Sequence, residues 1–134
     1  MGKERVRFVK ATGRAFTPER TVNYEGRLAL AAQQAMAGRP LLTGPVEMVM
    51  RAFVPIPESK PKKWKAGALA GWIRPTKKPD LDNMMKSACD ALNMVVWVDD
   101  AQIVRAVLEK VYSDQPRLEL EVSVLTTDND GVLS

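Results

Sequence analysis

The amino-acid sequence predicts a single small α+β domain over residues 1–134, in which a mixed β-sheet has two α-helices packed on one face. The length of 134 residues suits one domain with a core of its own. Two segments repeat apolar residues at helical spacing, and four others are β-branched or alternate apolar with polar residues. Strands clustered with two helices, in the order β-α-β-loop-α-β-β, favour a sheet covered on one side.

The first half of the chain predicts a short strand, a helix and a second strand. Residues 5–10 alternate apolar and basic side chains, as a short strand does. Residues 23–37 are rich in Ala, Leu and Gln with apolar residues at helical spacing, and Gly38 and Pro40 indicate where the helix ends. Residues 46–54 are β-branched and Met-rich without a breaker, which indicates a strand.

A long basic connection follows at residues 56–78, rich in Pro, Lys and Gly. A connection of this length without secondary structure is unusual inside a compact domain and is typically functional or mobile, so we expect a mobile loop here. Trp64 and Trp72 lie among its lysines. Two interpretations stay open: the rings stack on nucleic-acid bases while the cations hold phosphates, or they fix the loop to the core.

The second half of the chain predicts one amphipathic helix and two strands. Residues 82–92 separate an apolar arc from a polar arc at 100° per residue. Asp82 is the expected N-cap of this helix, and Asn93 the expected left-handed residue after it. The remaining predicted segments are strands at 103–112 and 118–125 and a frayed tail at 126–134.

The composition excludes several kinds of chemistry. Without His, the chain has no Ser-His-Asp or Cys-His nucleophile and no imidazole proton shuttle. The single Cys89 excludes a disulfide framework and a Cys-based zinc site. Any catalysis therefore uses carboxylates, Lys, Arg, Tyr and bound hard cations, and no organic cofactor is expected.

A cytoplasmic location without membrane contact is expected. The longest purely apolar run, residues 94–98, is far shorter than the roughly 20 residues that span a bilayer. The charged N-terminus lacks the apolar stretch of a signal peptide. Seven Met and one unpaired Cys fit a reducing compartment.

Positive charge is concentrated in two segments. Residues 1–20 contain six Lys or Arg against two Glu, and residues 56–78 contain seven against one. The rest of the chain keeps seven basic and thirteen acidic residues, a net charge of −6. Segregated charge of this kind is typical of polyanion binding, although solvated loops give the same pattern.

Two acidic pairs are the sharpest candidates for a functional site. Asp80 and Asp82 are two residues apart in extended chain ahead of a helix, so their carboxylates can converge, and Lys86 lies one turn further on the same helix face. Taken alone, these residues are better explained by helix capping and an i, i+4 ion pair. Asp99 and Asp100 follow an apolar run, and two acidic pairs in a protein built for polyanions indicate a cation between them.

Mg²⁺ is the cation that this chemistry favours, with Mn²⁺ as a possible substitute. Both ions take oxygen ligands and use a few carboxylates together with water and phosphate oxygens. Such an ion lowers the pKa of a bound water and neutralises charge on phosphorus. With Lys86 to hold the phosphate or orient the water, phosphodiester hydrolysis is the expected reaction.

The same residues carry a resemblance to a known family. The run Lys-Lys-Pro-Asp-Leu-Asp-Asn at 77–83, Lys86, Asp-Ala-Leu at 90–92 and Asp-Asp-Ala-Gln-Ile-Val at 99–104 stand in one order, with Lys110 beyond them. This pattern resembles the RusA family of Holliday junction resolvases, crossover junction endodeoxyribonucleases that are frequent in prophages. Their fold is a RusA-like α+β domain.

The resemblance implies a homodimer that binds four-way DNA junctions and nicks two symmetry-related strands with Mg²⁺, in recombination, repair or phage DNA processing. The family's essential aspartates match Asp80, Asp82 and Asp100, which would be both catalytic and metal-binding, and its catalytic lysine matches Lys86. Asn83, Asp90 and Asp99 would support them, although Asp90 is equally explained as a solvated helix residue. The expected DNA-binding residues are Arg5, Arg7, Arg14, Lys60, Lys62, Lys63, Lys65, Arg74, Lys77 and Lys78.

One departure from the family keeps alternatives open. The family usually has a full strand ahead of its Arg-x-Arg-Phe segment, whereas here this segment starts at Arg5, so we expect a missing or shortened first strand. A junction- or duplex-binding protein without cleavage activity is therefore one alternative. A Mg²⁺-dependent nuclease acting on other branched DNA or on RNA is another.

Overall fold

The structure is a computed structural model that describes the backbone of residues 5–11, 21–77 and 80–125, with side chains from residue 26 onward in the latter two ranges. The elements are β1 (Arg5–Ala11), α1 (Thr21–Met36), β2 (Val46–Pro55), α2 (Lys62–Leu69), α3 (Leu81–Leu92), a 3-10 turn (Asp100–Gln102), β3 (Ile103–Ser113) and β4 (Arg117–Val124). The tail expected to fray, 126–134, lies outside the described residues.

The four strands form one mixed sheet in the order β1-β4-β2-β3. β2 and β3 are parallel, while β4 runs antiparallel to both β1 and β2. The parallel pair needs a crossover, which α2 and α3 provide. The predicted mixed sheet is confirmed, and β3 forms one edge with its far side unpaired by any described strand.

The hydrophobic core lies between one face of this sheet and two helices. Alternate residues of β2 are buried, and β4 follows the same period-2 pattern through Leu118, Leu120 and Val122. α1 contributes Leu28 and α3 contributes Leu92, both fully buried in the same cluster. α1 and α3 therefore cover one face, as the sequence predicts, but the structure has a third helix, α2, which the sequence did not predict.

The other face of the sheet carries charged side chains in pairs. Glu47 binds Arg105 at 2.8 Å, and Arg51 binds Glu109 at 3.0 Å. Arg117 binds its neighbour Glu119 at 2.9 Å, and its guanidinium lies 3.7 Å from the ring centroid of Phe53. We call this surface the open face; its described charged residues are Glu47, Arg51, Arg105, Glu109, Arg117, Glu119 and Glu121.

The basic connection is not a structureless loop, and this prediction was wrong. Its centre forms α2, whose Trp64 and Ala68 are one turn apart and face the sheet. Trp64 packs edge-on against Tyr112 of β3, with ring centroids 5.4 Å apart, and Lys60 covers the indole with its ammonium 5.0 Å from the centroid. Packing against β3 stabilises a helix that its own sequence signals only weakly.

The two predicted caps of α3 are each displaced. The backbone N–H of Met84 donates to the carbonyl of Asp80 at 3.0 Å, so Asp80 rather than Asp82 is the N-cap. After the helix, the left-handed conformation belongs to Met94 (φ 65°), whereas Asn93 is extended (φ −60°, ψ 129°). Asn93 stays extended because its side chain bonds Trp97 and Asp100.

Among the described residues, no helix has the length and apolar character needed to cross a membrane.

Candidate active site

One polar stripe runs along the solvent side of α3. Asp82, Lys86, Cys89 and Asn93 follow one another at spacings of four, three and four residues, which places them on one face of the helix. The buried residues of α3, such as Met84 and Leu92, occupy the opposite face. The amphipathic pattern thus directs this polar stripe outward, away from the core.

The first acidic pair stands at the beginning of this stripe. Asp80 is exposed with extended backbone (φ −77°, ψ 143°), and its side chain forms no capping hydrogen bond. Asp82 is exposed in the first turn, where its carboxylate accepts from the backbone N–H of Asn83 at 2.9 Å. Both lie near the positive end of the helix dipole, which stabilises their negative charge. Most of their oxygen lone pairs remain available for a ligand.

The two carboxylates of the second acidic pair have different roles: Asp99 caps a turn, whereas Asp100 can bind a ligand. Asp99 caps the 3-10 turn, since its side chain accepts from the backbone N–H of Ala101 at 3.2 Å. Asp100 is half-buried, and Nδ2 of Asn93 approaches its Oδ2 at 3.4 Å. The sequence-based assignment of Asp99 to support fits this cap.

Gln102 holds the turn in place, and sequence reasoning missed it. Its Oε1 accepts from the backbone N–H groups of Val98 and Asp99, each at 3.0 Å. Its Nε2 donates to the carbonyls of Leu42 at 3.1 Å and Gly44 at 3.0 Å. One side chain therefore ties the turn that carries Asp100 to the loop before β2.

Asp100 lies against the second half of the polar stripe. Besides Asn93, it lies near the half-buried thiol of Cys89. Partial burial, then the nearby Asp100 carboxylate, and lastly the charge of Asp90 together raise the pKa of Cys89 to about 11. Asn93 is itself oriented by Nε1 of the buried Trp97, which donates to its Oδ1 at 2.7 Å. Asp100 thus has a fixed position two turns beyond Asp82.

The two acidic pairs are not assembled into one cluster. Asp82 and Cys89 are seven residues apart, which is about 10 Å along the helix axis. Accordingly, no three acidic or thiol side chains within the described parts of the chain lie close enough to hold a metal ion together. The expected convergence of Asp80, Asp82 and Asp100 on one cation is not formed here.

Lys86 occupies the interval between the two acidic pairs. It is exposed, about 6 Å along the axis from Asp82 and about 4.5 Å from Cys89. It forms none of the ion pairs found among the described residues, so the i, i+4 pair with Asp82 that the sequence allows is not formed. Asp90 is likewise exposed. An ammonium without a partner carboxylate is free to bind a phosphate.

Lys110 fixes the chain that leads into Asp80. It lies on β3 opposite Ala52, on the side of the sheet that faces the helices. Its ammonium donates to the backbone carbonyl of Lys77 at 2.7 Å, three residues before Asp80. This contact was not predicted from the sequence; a lysine at a core-facing position of an apolar strand is the signal that could have indicated it.

Six of the ten expected DNA-binding residues lie in α2 or close to it in sequence. Lys60, Lys62 and Lys63 are exposed ahead of α2 and in its first turn, and Lys65 is half-buried. Arg74 and Lys77 are exposed after the helix. Arg5 and Arg7 belong to edge strand β1, whose side chains are not described, and Arg14 and Lys78 lie outside the described residues.

Comparison with known proteins identifies the protein family to which a chain with this fold belongs. The family described as Endodeoxyribonuclease RusA matches residues 1–123. The chain therefore belongs to the RusA endodeoxyribonuclease family, and the RusA-like α+β fold predicted from the sequence agrees with this.

Two relatives show how the similarity is distributed. The chain is 39% identical to Uncharacterized protein YqaN of Bacillus subtilis (strain 168) over 109 residues, which cover 78% of this chain and 75% of that protein. It is 31% identical over 80 residues to Crossover junction endodeoxyribonuclease rusA of Lactococcus phage r1t. That second alignment covers 59% of this chain and 54% of the phage protein.

Proposed function

We propose that the protein is a Mg²⁺-dependent, structure-selective endodeoxyribonuclease that resolves four-way DNA junctions by paired symmetric nicks. The observation that carries this proposal is the polar stripe of α3, where an unpaired Lys86 lies between Asp82 and the position that Asp100 contacts. Family membership supports endodeoxyribonuclease activity, and the name of the phage relative supports a crossover junction as substrate.

The donor set of the site fits Mg²⁺. Asp80, Asp82 and Asp100 offer carboxylate oxygens, which are the ligands that this hard cation prefers. Mg²⁺ usually keeps several waters and binds one or two carboxylates with substrate phosphates, so DNA would complete a site that these three side chains leave open. When bound, the ion would activate a water and neutralise charge on the scissile phosphate.

The protein's own residues would position the phosphate. The Lys86 ammonium would hold a non-bridging oxygen as a compact point charge. Asn83, exposed beside Asp82, would present its amide to the same phosphate, and Asp90 would keep the Lys86 ammonium oriented from one turn further along α3. Asp99 would act only by maintaining the turn that carries Asp100.

Two-fold symmetry of the substrate argues for a homodimer. A four-way junction presents two equivalent strands, so two matching nicks require two active sites related by the same symmetry. The basic surface around α2 would bind the phosphate backbone of the arms. We place this activity in the cytoplasm, in recombination, repair or phage DNA processing.

Cleavage of a labelled four-way junction tests the proposal, with a linear duplex of the same sequence as the comparison substrate. We expect paired symmetric nicks in the junction alone, which require Mg²⁺ and are lost in EDTA and in Asp82→Asn. The matched control is Asp114→Asn, which removes an exposed carboxylate in the β3–β4 turn and should leave the nicks unchanged.

A junction-binding protein without cleavage is the second candidate. The separation of the acidic pairs along α3 favours it, because no metal cluster is preformed among the described residues. Retention of the junction in a gel shift, without nicks in Mg²⁺ or Mn²⁺, would establish this second function and refute the first.

A further inference from the structure

Trp72 is exposed in a way that the other two tryptophans are not. Its side chain is 85% exposed, whereas Trp97 is fully buried and Trp64 packs against Tyr112. An aromatic ring typically buries about 150–250 Å² of surface in a folded protein. An indole left almost entirely in water is therefore a feature that folding alone does not explain.

The backbone beneath Trp72 is fixed by the C-terminal cap of α2. Gly71 adopts the left-handed conformation (φ 89°), and its N–H donates to the carbonyl of Ala68 at 3.2 Å. The N–H of Trp72 donates to the carbonyl of Gly67 at 2.9 Å. These two bonds form a Schellman motif, in which Gly71 is C′ and Trp72 is C″. The indole thus projects from a defined point of the fold.

The cap also explains why the indole finds no cover within its own helix. In a Schellman motif the side chain at C″ usually packs against residue C3 or C4. Here C3 is Gly67, which has no side chain, and the space above it is taken by Ile73, whose Cδ1 lies 3.1 Å from the position of a Cβ at Gly67. Ile73 makes the inward contact and Trp72 faces solvent.

The charges beside Trp72 identify the chemistry of its partner. Arg74 and Lys77 follow it within five residues and are exposed, and the lysines of the first turn of α2 lie at the far end of the helix that precedes Trp72. Glu58 is the single acidic residue in the whole segment 56–78. An exposed aromatic ring among cations suits a ligand with a π-face and phosphates.

We propose that Trp72 stacks on a base exposed at the branch point of the DNA, a role that rests on the proposed junction function. Stacking is tolerant of sequence because every base has a π-face. In a continuous duplex these faces are covered by neighbouring base pairs, whereas strands that change partners at a branch expose them. Trp72 therefore contributes selectivity for branched DNA, while the surrounding cations contribute affinity for any DNA.

Binding measured in EDTA tests this role without cleavage. The probes are a fluorescein-labelled four-way junction and a linear duplex of the same sequence. We expect Trp72→Ala to weaken junction binding about tenfold and duplex binding less than about twofold. Trp72→Phe, which keeps an aromatic face, should remain within about threefold of the wild type for both DNAs.

Leu69→Ala is the matched control, because Leu69 is an exposed apolar residue, 53% accessible, at the end of the same helix. It should leave both affinities unchanged if stacking, rather than apolar surface, is responsible. Intrinsic fluorescence gives a second readout: the unlabelled junction should quench the emission of the wild type, and Trp72→Phe should lose that quenching.

Four results would overturn the stacking role. If Trp72→Ala keeps the wild-type preference for the junction, the stacking role is wrong and the proposed function is unaffected. If Trp72→Ala weakens junction and duplex binding equally, Trp72 contacts DNA without selecting for a branch. A shift of Trp72→Ala from dimer to monomer in sedimentation, with Leu69→Ala shifting equally, assigns this surface to subunit contact. If the wild type itself does not prefer the junction, both the function and the stacking role fail.

Discussion

The two acidic pairs of this protein are supported in opposite ways. Asp80 and Asp82 are exposed at the start of α3, where the first has no capping bond and the second accepts one bond from the adjacent residue. Asp99 and Asp100 lie in a turn that Gln102 ties to the loop before β2. The end of a helix thus positions the first acidic pair, whereas side-chain hydrogen bonds position the second.

This difference indicates which half adapts to a ligand. The second pair is held by contacts distant in sequence, so its geometry is set before any DNA arrives. The first pair has few internal bonds, and the Lys77 carbonyl is the described anchor nearest to it on its N-terminal side. We expect Asp80 and Asp82 to make the larger adjustment when a metal ion and a phosphate bind.

The largest expected effect separates the two members of the second pair. Asp100→Asn removes a proposed metal ligand and should lower junction cleavage roughly 100-fold or more. Asp99→Asn keeps a good N-cap, since Asn and Asp cap about equally well, and should leave the cleavage rate nearly unchanged. Single-turnover cleavage rates of the two variants check this. Equal losses of cleavage rate in both variants would show that cleavage depends on the structure of the turn and not on the Asp100 carboxylate alone.

Removal of the bonds that hold the second pair should give the next largest effect. Gln102→Leu deletes the amide that makes all four bonds, three of them at exposed positions where water can replace it, so we expect the free energy of unfolding to fall by about 2 kcal/mol. Urea unfolding measures this. Gln115→Leu, at an exposed turn position, is the control, and a loss below about 1 kcal/mol in Gln102→Leu would contradict the structural role.

Release of the anchor of the first pair should act on activity more than on stability. Lys110→Met keeps the aliphatic stem but deletes the bond to the Lys77 carbonyl, so the chain entering Asp80 samples more positions. We expect cleavage to slow about tenfold because small misplacements of reacting groups are costly. Lys110→Arg can still donate to the carbonyl and should recover part of the rate. Wild-type activity in Lys110→Met would show that α3 alone positions the pair.

The smallest expected effect is a pH dependence that belongs to Cys89. Its pKa is raised from 9.0 to about 11 in the folded protein, so the folded state disfavours the thiolate. The associated stability is complete below about pH 9 and is lost as pH rises towards 11. Urea unfolding of metal-free protein across this range should show a decline that Cys89→Ala lessens. Parallel curves for the two proteins would contradict the raised pKa of Cys89.

Much of the fold could be predicted because its signals are local. The amphipathic period of α3 and the period-2 burial of β2 and β4 follow directly from residue order. α2 could not be predicted in this way. Its first turn carries lysines where the helix dipole disfavours them, Gly67 weakens its interior, and Trp64 finds its partner Tyr112 far along the chain.

The candidate site, too, could be predicted only where its signals are local in sequence. Asp80, Asp82, Lys86 and Asp100 are prominent as acidic and basic residues around one helix, whereas Gln102 is an ordinary polar residue in sequence. Its importance comes from the carbonyls of Leu42 and Gly44, some sixty residues earlier. The link between Cys89 and Asp100 is likewise tertiary, because the turn that carries Asp100 folds back on α3. Contacts of this kind leave no trace in spacing or periodicity.

The open face of the sheet and the surface around α2 hold their positive charge in different ways. Its three described arginines each bind a glutamate, so little positive charge there is left for phosphates. The Lys and Arg residues around α2, by contrast, stand almost without acidic neighbours in sequence. An incoming polyanion would therefore be attracted to the surface around α2. This built-in polarity would align the protein on DNA before any specific contact is made.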